Sequence, residues 1–196
     1  MPIAPSRKQQ THDRIVDAAA RALRGGGFSG VGVADIMKQS GLTHGGFYAH
    51  FASREVLIAE ALERAGRDAH ARMQEALDRG QAQGFSRFRT LVENYLSEQH
   101  LNAPEYGCAV AALASEMPRQ ADAVREAAVA RVRDLVADVR DALPVGHADD
   151  AASVIASQLI GALQIARTLG PNAQGRKHLA LARRFLLEQF DAQSPS

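Results

Sequence analysis

Residues 33–51 read VADIMKQSGLTHGGFYAHF, and this stretch decides the fold of the first part of the chain. Its apolar residues are spaced so that two short helices can pack across a tight turn. They are Ile36, Leu42, Phe47 and Phe51. Gly41 lies in that turn, where a positive φ is expected and a Cβ would be costly. The stretch predicts a helix-turn-helix whose second helix starts at its N-cap Thr43 and runs to about His50.

Packing those apolar residues inward leaves six polar or small residues on the outside of the second helix. They are Thr43, His44, Gly45, Gly46, Tyr48 and His50. Hydroxyl and imidazole groups donate to phosphate oxygens and base edges, and glycines let a backbone approach a duplex closely. From the residues alone, Tyr48 and His50 have the alternative role of capping the small core. The exposed face as a whole predicts contact with double-stranded DNA.

An amphipathic helix is predicted upstream, over residues 9–24, and its apolar face completes a three-helix core. That face carries Ile15, Ala19 and Leu23. The glycines of the GGG run at 25–27 end the helix. Residues 25–30 also match the GxGxxG string of dinucleotide sites, but they follow a helix and not a strand, so we do not expect a nucleotide to bind there.

Charge is divided unevenly along the chain. Residues 1–54 carry a net charge of +4, whereas residues 55–196 carry −3, and the whole chain carries +1. A basic N-terminal part on an acidic remainder favours a polyanionic partner for the N-terminal part.

The stretch from Thr11 to Leu57 resembles the DNA-binding domain of the TetR/AcrR family of transcriptional repressors over about 47 residues without a gap. The matching positions are Ile15, Ala18, Ala19, Gly27, Phe28, Asp35, Ile36, Gly41, Leu42, Tyr48, Phe51, Ser53 and Leu57. The resemblance implies that His44, Gly45 and Gly46 read base edges. It also implies that Thr43, Tyr48 and His50 contact phosphates, with Arg54 in place of the usual phosphate-binding Lys.

Three positions depart from the family pattern. Gly32 stands at the N-cap of the second helix, where Ser or Thr is usual and where Gly costs a few tenths of a kcal/mol. Met37 replaces a customary Ala, and three glycines replace a single one at 25–27. None of these changes removes a group expected to contact DNA.

The whole chain is predicted to be all-α, with nine helices and no strand, because no segment alternates apolar and polar residues convincingly. The expected helices cover about residues 9–24, 33–40, 43–50, 53–80, 85–100, 108–115, 118–143, 149–169 and 176–190. Residues 9–55 form the expected DNA-binding domain, and residues 56–196 form a helical ligand-binding and dimerisation domain. The fourth helix is expected to join the two directly.

The eighth and ninth expected helices are apolar on more than one side. One apolar side can pack in the core of the chain itself, and the other must be buried against a partner. A two-fold homodimer with a four-helix interface satisfies this requirement and agrees with the family resemblance. We expect the interface to include Val154, Gly161, Leu181 and Phe185.

The family resemblance implies a ligand cavity among the fourth to eighth helices. The expected contacts there are Phe88, Tyr95, Cys108, Met117 and Gln158. Each of these residues has plain core packing as its alternative role. Cys108, the only cysteine, lies in a segment similar to the NemR-type branch of the family, whose members sense electrophiles. It is either a small buried side chain or a reactive thiol, and no Lys or Arg within ten residues could activate it.

We find no constellation for catalysis, no metal-ligand spacing and no cofactor motif, so we do not expect an enzyme. One cysteine suits a reducing cytoplasm, and no apolar run approaches the roughly 18 residues of a membrane span. The expected function is a DNA-binding repressor that leaves a palindromic operator when a small-molecule inducer binds. The alternatives are a thiol sensor acting through Cys108, or a helical small-molecule binder or enzyme with a vestigial helix-turn-helix.

Overall fold

The structure is a computed structural model that describes residues 6–147 and 150–191. Within these ranges the chain forms helices and no strand, which confirms the all-α fold. The α-helices are α1 (Arg7–Gly26), α2 (Val33–Gln39), α3 (Arg54–Ala82), α4 (Arg87–Tyr95), α5 (Glu98–Asn102), α6 (Ala109–Leu113), α7 (Asp122–Ala142), α8 (Ala151–Leu169) and α9 (Ala173–Phe190). Short 3-10 helices cover Phe28–Gly30, His44–Ala49, Pro104–Tyr106 and Met117–Arg119.

Side-chain caps explain where several helices begin. The Ser53 hydroxyl accepts the N–H of Val56 at 3.3 Å at the start of α3, as the sequence predicts. Ser86 caps α4 in the same way. The Asn172 side chain accepts the N–H of Gln174 at 2.8 Å and starts α9 three residues before the predicted position. Each cap satisfies an N–H that has no partner within its helix.

Two predicted helices are wrong in detail. The expected helix over 85–100 is interrupted, because the Ser97 hydroxyl accepts the N–H of His100 and starts α5 as a separate helix. Pro118 does not open α7. It lies in the 3-10 helix Met117–Arg119, and the chain is extended at Gln120 before α7 begins at Asp122. The predicted start of the eighth helix, Asp149, lies outside the described residues.

The segment expected as the second helix of the helix-turn-helix is a 3-10 helix, His44–Ala49, which we call the recognition turn. Thr43 is extended at its N-cap, as predicted, but its side chain makes no capping hydrogen bond. The Gly46 N–H donates to the Thr43 carbonyl at 3.1 Å, an i to i+3 bond. Two adjacent glycines disfavour a regular α-helix, which accounts for the tighter winding.

The core consists of two clusters of buried apolar side chains. The first lies under the head, by which we mean the described residues before α3, but it also includes residues of α3, α6 and α7. Its members from α6 and the segments after it are Ala109, Leu113, Met117, Val124 and Ala128. The second cluster joins α4, α7, α8 and α9. The head therefore shares one continuous core with part of the body.

Helix α8 is long and apolar enough to span a membrane by length and composition alone, with 39% of its most apolar window buried. The prediction that no apolar run approaches the length of a membrane span is therefore wrong for α8. The core helix of a soluble protein passes the same test, and α8 packs along α9 with Ile155, Leu159 and Leu163 buried.

Candidate nucleic-acid interface and ligand cavity

The recognition turn presents polar and small residues on a rigid aromatic base. Phe47 and Phe51 are buried and stacked with ring centroids 5.5 Å apart. Tyr48 lies edge-on to Phe47 at 5.2 Å, and 74% of it is exposed. Because the Tyr48 ring packs against Phe47, its conformation is already restricted, so Tyr48 would lose little conformational entropy on binding a partner.

The glycines of the turn leave space beside the backbone. Gly41 has φ of 70°, which confirms the predicted left-handed turn residue. A Cβ placed on Gly45 would meet nothing within 4 Å, and one on Gly46 would meet only Met37 Cε at 3.6 Å. No neighbour in the described chain therefore requires glycine at 45 or 46. The open space beside them suits a close approach by a large partner.

His50 differs from the other predicted contacts because it is partly enclosed. Its ring lies 6.2 Å from that of His12, and its Nδ1 is buried without a hydrogen-bond partner among the described residues. Burial lowers its pKa, and His12 and Lys8 act in the same direction, so His50 is neutral at pH 7. It can donate one N–H but adds no charge to the surface.

Arg54 is engaged within the protein. Its Nε donates to the Val31 carbonyl at 3.0 Å, and another guanidinium nitrogen donates to the Phe28 carbonyl. These bonds fix the loop between α1 and α2 against the first turn of α3. Arg54 thus positions the helix-turn-helix, and its guanidinium has further N–H groups beyond those that make these two bonds.

A cavity of about 950 Å³ lies in the body between α3, α7 and the segment from α4 to α6. Of the five predicted pocket residues, only Tyr95 and Cys108 line it. Three predictions are corrected. Phe88 is buried in the second core cluster, Met117 is buried in the first, and Gln158 is exposed on α8.

Cys108 is the N-cap residue of α6 and forms part of the cavity wall. Its backbone N–H donates to His100 Nε2 at 2.9 Å, so the other ring nitrogen carries the proton and donates to the Tyr95 carbonyl at 2.7 Å. Burial lowers the pKa of His100 to about 4, with Arg167 and Arg72 acting in the same direction. A neutral imidazole with both nitrogens engaged cannot serve as a base toward the thiol.

The fold brings cations to Cys108 that the local sequence lacks. Arg24 of α1 and Arg167 of α8 both interact electrostatically with the thiol. A guanidinium nitrogen of Arg167 lies 3.0 Å from where a Cβ on Gly107 would stand, so the close approach depends on glycine there. Sequence reasoning missed both arginines, because they are distant in the chain and no local pattern marks them.

The four predicted interface residues share the outer surface of α8 and α9. Val154 and Leu181 are exposed, and 52% of Phe185 is exposed. Gly161 is half-buried, and a Cβ there would meet nothing within 4 Å. Ile165, also exposed, continues the stripe along α8. Exposed Gln158 lies on the same stripe, since it follows Val154 by four residues.

Comparison with known proteins agrees with this architecture. The model of the TetR family of bacterial regulatory proteins matches residues 15–61. The HTH-type transcriptional regulator Rv0196 of Mycobacterium tuberculosis is 29% identical over 172 residues, or 81% of this chain and 85% of the relative. The HTH-type transcriptional repressor NemR of Escherichia coli is 24% identical over 140 residues, or 71% and 70%.

Solved structures show the same fold. The reduced form of Escherichia coli NemR superposes with a TM-score of 0.76 at 21% identity, covering 95% of this chain and 99% of that one. A TetR transcriptional regulator from Chloroflexus aurantiacus superposes with a TM-score of 0.71 at 22% identity, covering 93% and 94%.

Proposed function

We propose that the chain is a transcriptional regulator of the TetR family, and that it acts as a cytoplasmic repressor that binds a near-palindromic operator as a homodimer. The observation that carries this proposal is the recognition turn. Tyr48, Thr43 and His44 stand exposed on a buried aromatic base, beside glycines with open space. Two such turns in a dimer would enter successive major grooves about 34–36 Å apart.

Each predicted contact has a distinct role in this proposal. His44, with the bare backbone of Gly45 and Gly46, reads base edges, whereas Thr43, Tyr48 and His50 donate to phosphates. Arg54 acts chiefly by fixing the loop it bonds to. The apolar stripe of α8 and α9 pairs with its copy across the two-fold axis and sets the distance between the turns.

The cavity takes the inducer in this proposal. An inducer that fits only a conformation with displaced recognition turns shifts the population away from DNA by as much as its affinities for the two conformations differ. The wall segment at Cys108 precedes α6, which shares the first core cluster with the head. A movement of that wall can therefore be transmitted through the first core cluster to the recognition turn.

Selection of bound fragments from the source genome, followed by a compound screen for release, tests the function. We expect one preferred near-palindromic fragment. The absence of any preferred fragment would instead favour a helical small-molecule binder with a vestigial helix-turn-helix.

A second candidate is favoured by the surroundings of Cys108. The thiol lines the cavity, and the guanidinium groups of Arg24 and Arg167 both interact with it electrostatically. In this alternative, the inducer is an electrophile or oxidant that modifies the thiol. With no second cysteine in the chain, reversible switching would proceed through an adduct, a sulfenic acid or a disulfide to Cys108 of the other subunit.

A further inference from the structure

Three arginines from separate helices converge on one short segment of the cavity wall. Arg24 donates to the carbonyl of Glu105 at 2.6 Å, and Arg167 donates to that of His100 at 2.8 Å. Arg72, on the cavity lining, donates to the carbonyl of Tyr106. All three therefore use neutral backbone acceptors within residues 100–106.

The other titratable side chains around the cavity mostly have a partner close by. Arg131 lies 2.9 Å from Asp134, and His70 lies 3.1 Å from Asp138. Arg79 lies 4.0 Å from Glu75, while Asp141 is exposed.

By contrast, the three converging arginines have no carboxylate within 4.0 Å in the described ranges. Of the nearby acids, Asp68 is bonded to Arg64 at 2.8 Å, and Glu105 acts on Arg167 only at a distance. The unbalanced charge at this end of the cavity is positive.

Donors at this end are also buried without partners. Arg24 is only 4% exposed, and one of its terminal nitrogens has no acceptor among the described residues. The same holds for Nε of Arg167. Burial lowers the pKa of both groups, and Arg72 adds to the effect on Arg24. Neither arginine lines the cavity, so their guanidinium groups place positive charge without a paired carboxylate directly behind its wall, which favours an anion inside the cavity.

Tyr95 adds a neutral donor that faces the cavity. It is 4% exposed, and its hydroxyl lies beside the Cys108 thiol without a hydrogen bond of ordinary geometry. Burial raises the pKa of this phenol well above its usual value, so it keeps its proton. The wall beyond it is apolar, with Ala65, Ala69, Met73, Val110 and Leu135.

We infer that the cavity binds an organic carboxylate, whose apolar body lies on that wall and whose carboxylate accepts from Tyr95 and Arg72. Arg24 and Arg167 supply positive charge behind the segment. This inference rests on the proposed ligand-responsive function, since it names the chemical class of the inducer.

Calorimetry on the whole chain without DNA tests the inference separately from repression. The probes are benzoate, octanoate and 2-naphthoate, with 2-naphthamide as the uncharged match. We expect at least one carboxylate to bind, and 2-naphthoate to bind about 10- to 100-fold more tightly than the amide.

Two variants locate the site. Tyr95→Phe removes a hydroxyl that makes no hydrogen bond of ordinary geometry, so the variant should fold normally yet weaken carboxylate binding about tenfold. Arg72→Gln should weaken it to a similar extent. Arg79→Gln, at a lining arginine paired with Glu75, is the matched control and should bind as the parent does. Binding of none of the three carboxylates, equal binding of the amide, or an equal loss in the control would overturn the inference. A loss of operator binding alone would count only against the proposed repressor.

Discussion

The guanidinium of Arg24, in the last turn of α1, donates to the backbone carbonyl of Glu105 at 2.6 Å. Arg24 belongs to the head, whereas Glu105 adjoins the wall residues Tyr106, Gly107 and Cys108 of the cavity. The bond is therefore a direct link between the head and the wall of the cavity.

Arg24→Met should uncouple the two sites. The variant should still bind operator, because the recognition turn is untouched, but inducer should release it less effectively. Leaving the Glu105 carbonyl unpaired should also lower the free energy of unfolding by about 1–2 kcal/mol. Anisotropy of labelled operator with and without inducer measures the first effect, and urea denaturation measures the second. Arg21→Met, at an exposed arginine of the same helix, is the control; normal induction in Arg24→Met would contradict the link.

Operator binding should depend steeply on salt and on the exposed face of the recognition turn. With six to ten phosphate contacts per dimer, affinity should fall about 10³- to 10⁵-fold between 50 and 200 mM salt. Tyr48→Phe should weaken all sequences alike, while His44→Ala should change sequence preference. Gel-shift titrations over a set of operator variants measure both. Tyr106→Phe, at an exposed tyrosine of the body, should leave DNA binding unchanged; an affinity that is independent of salt would contradict the proposed interface.

Phe185→Glu should dissociate the dimer. A charge placed without a partner in a buried interface should cost about 3–5 kcal/mol. Sedimentation should then show a monomer with little operator affinity. Val129→Glu on α7, at a valine that is similarly exposed, should remain a dimer. A parent protein that sediments as a monomer at micromolar concentration would refute the proposed interface.

His100 should make the fold sensitive to acid. Its pKa is about 4 in the folded chain and 6.5 when unperturbed, so it is neutral in both states above pH 6.5. Between pH 6.5 and 4 the unfolded chain binds a proton that the folded chain does not, and stability falls by about 2–3 kcal/mol. Denaturation curves at several pH values measure the loss. His100→Gln keeps an acceptor for the Cys108 N–H and should reduce the pH dependence; an unchanged slope would show that other groups cause it.

Cys108 should react with N-ethylmaleimide in the native protein, since it lines the cavity and is partly exposed. If the thiol is a sensor, the adduct should release operator from the parent protein while Cys108→Ser stays bound. The added volume overpacks a wall of small residues, at a cost of about 1–3 kcal/mol. Labelling without release would leave Cys108 as a wall residue, with induction due to a non-covalent ligand.

Local chemistry made the head predictable from the sequence. Gly41 needs its positive φ, Ser53 caps α3, and the apolar spacing around Phe47 and Phe51 places both in the core. The body was harder to predict because its distinctions are not local. Nothing in the local sequence shows that Phe88, Met117 and Gln158 lie outside the cavity. The interruption of the helix at Ser97 depends on a single capping hydroxyl.

The buried charge around Cys108 could not be predicted from spacing at all. Arg24 and Arg167 lie 143 residues apart in the chain, and each is an unremarkable arginine on its own helix. Only the packing of α1 and α8 against the segment at 100–108 brings them together. Because buried arginines are uncommon, their convergence indicates a candidate functional site once the fold is known.

The shared core of head and body limits how regulators of this kind can be recombined. A chimera made by grafting residues 1–55 onto a foreign body would replace Leu113, Met117 and Val124, against which the head packs here, with side chains of unrelated shape. Each mismatch of that kind, a cavity or an overpacked contact, costs about 1–3 kcal/mol, which is a large fraction of the stability of an ordinary domain. A functional hybrid must therefore exchange the head together with the first turns of α3, with α6 and with the first turns of α7, so that the whole first core cluster comes from one parent.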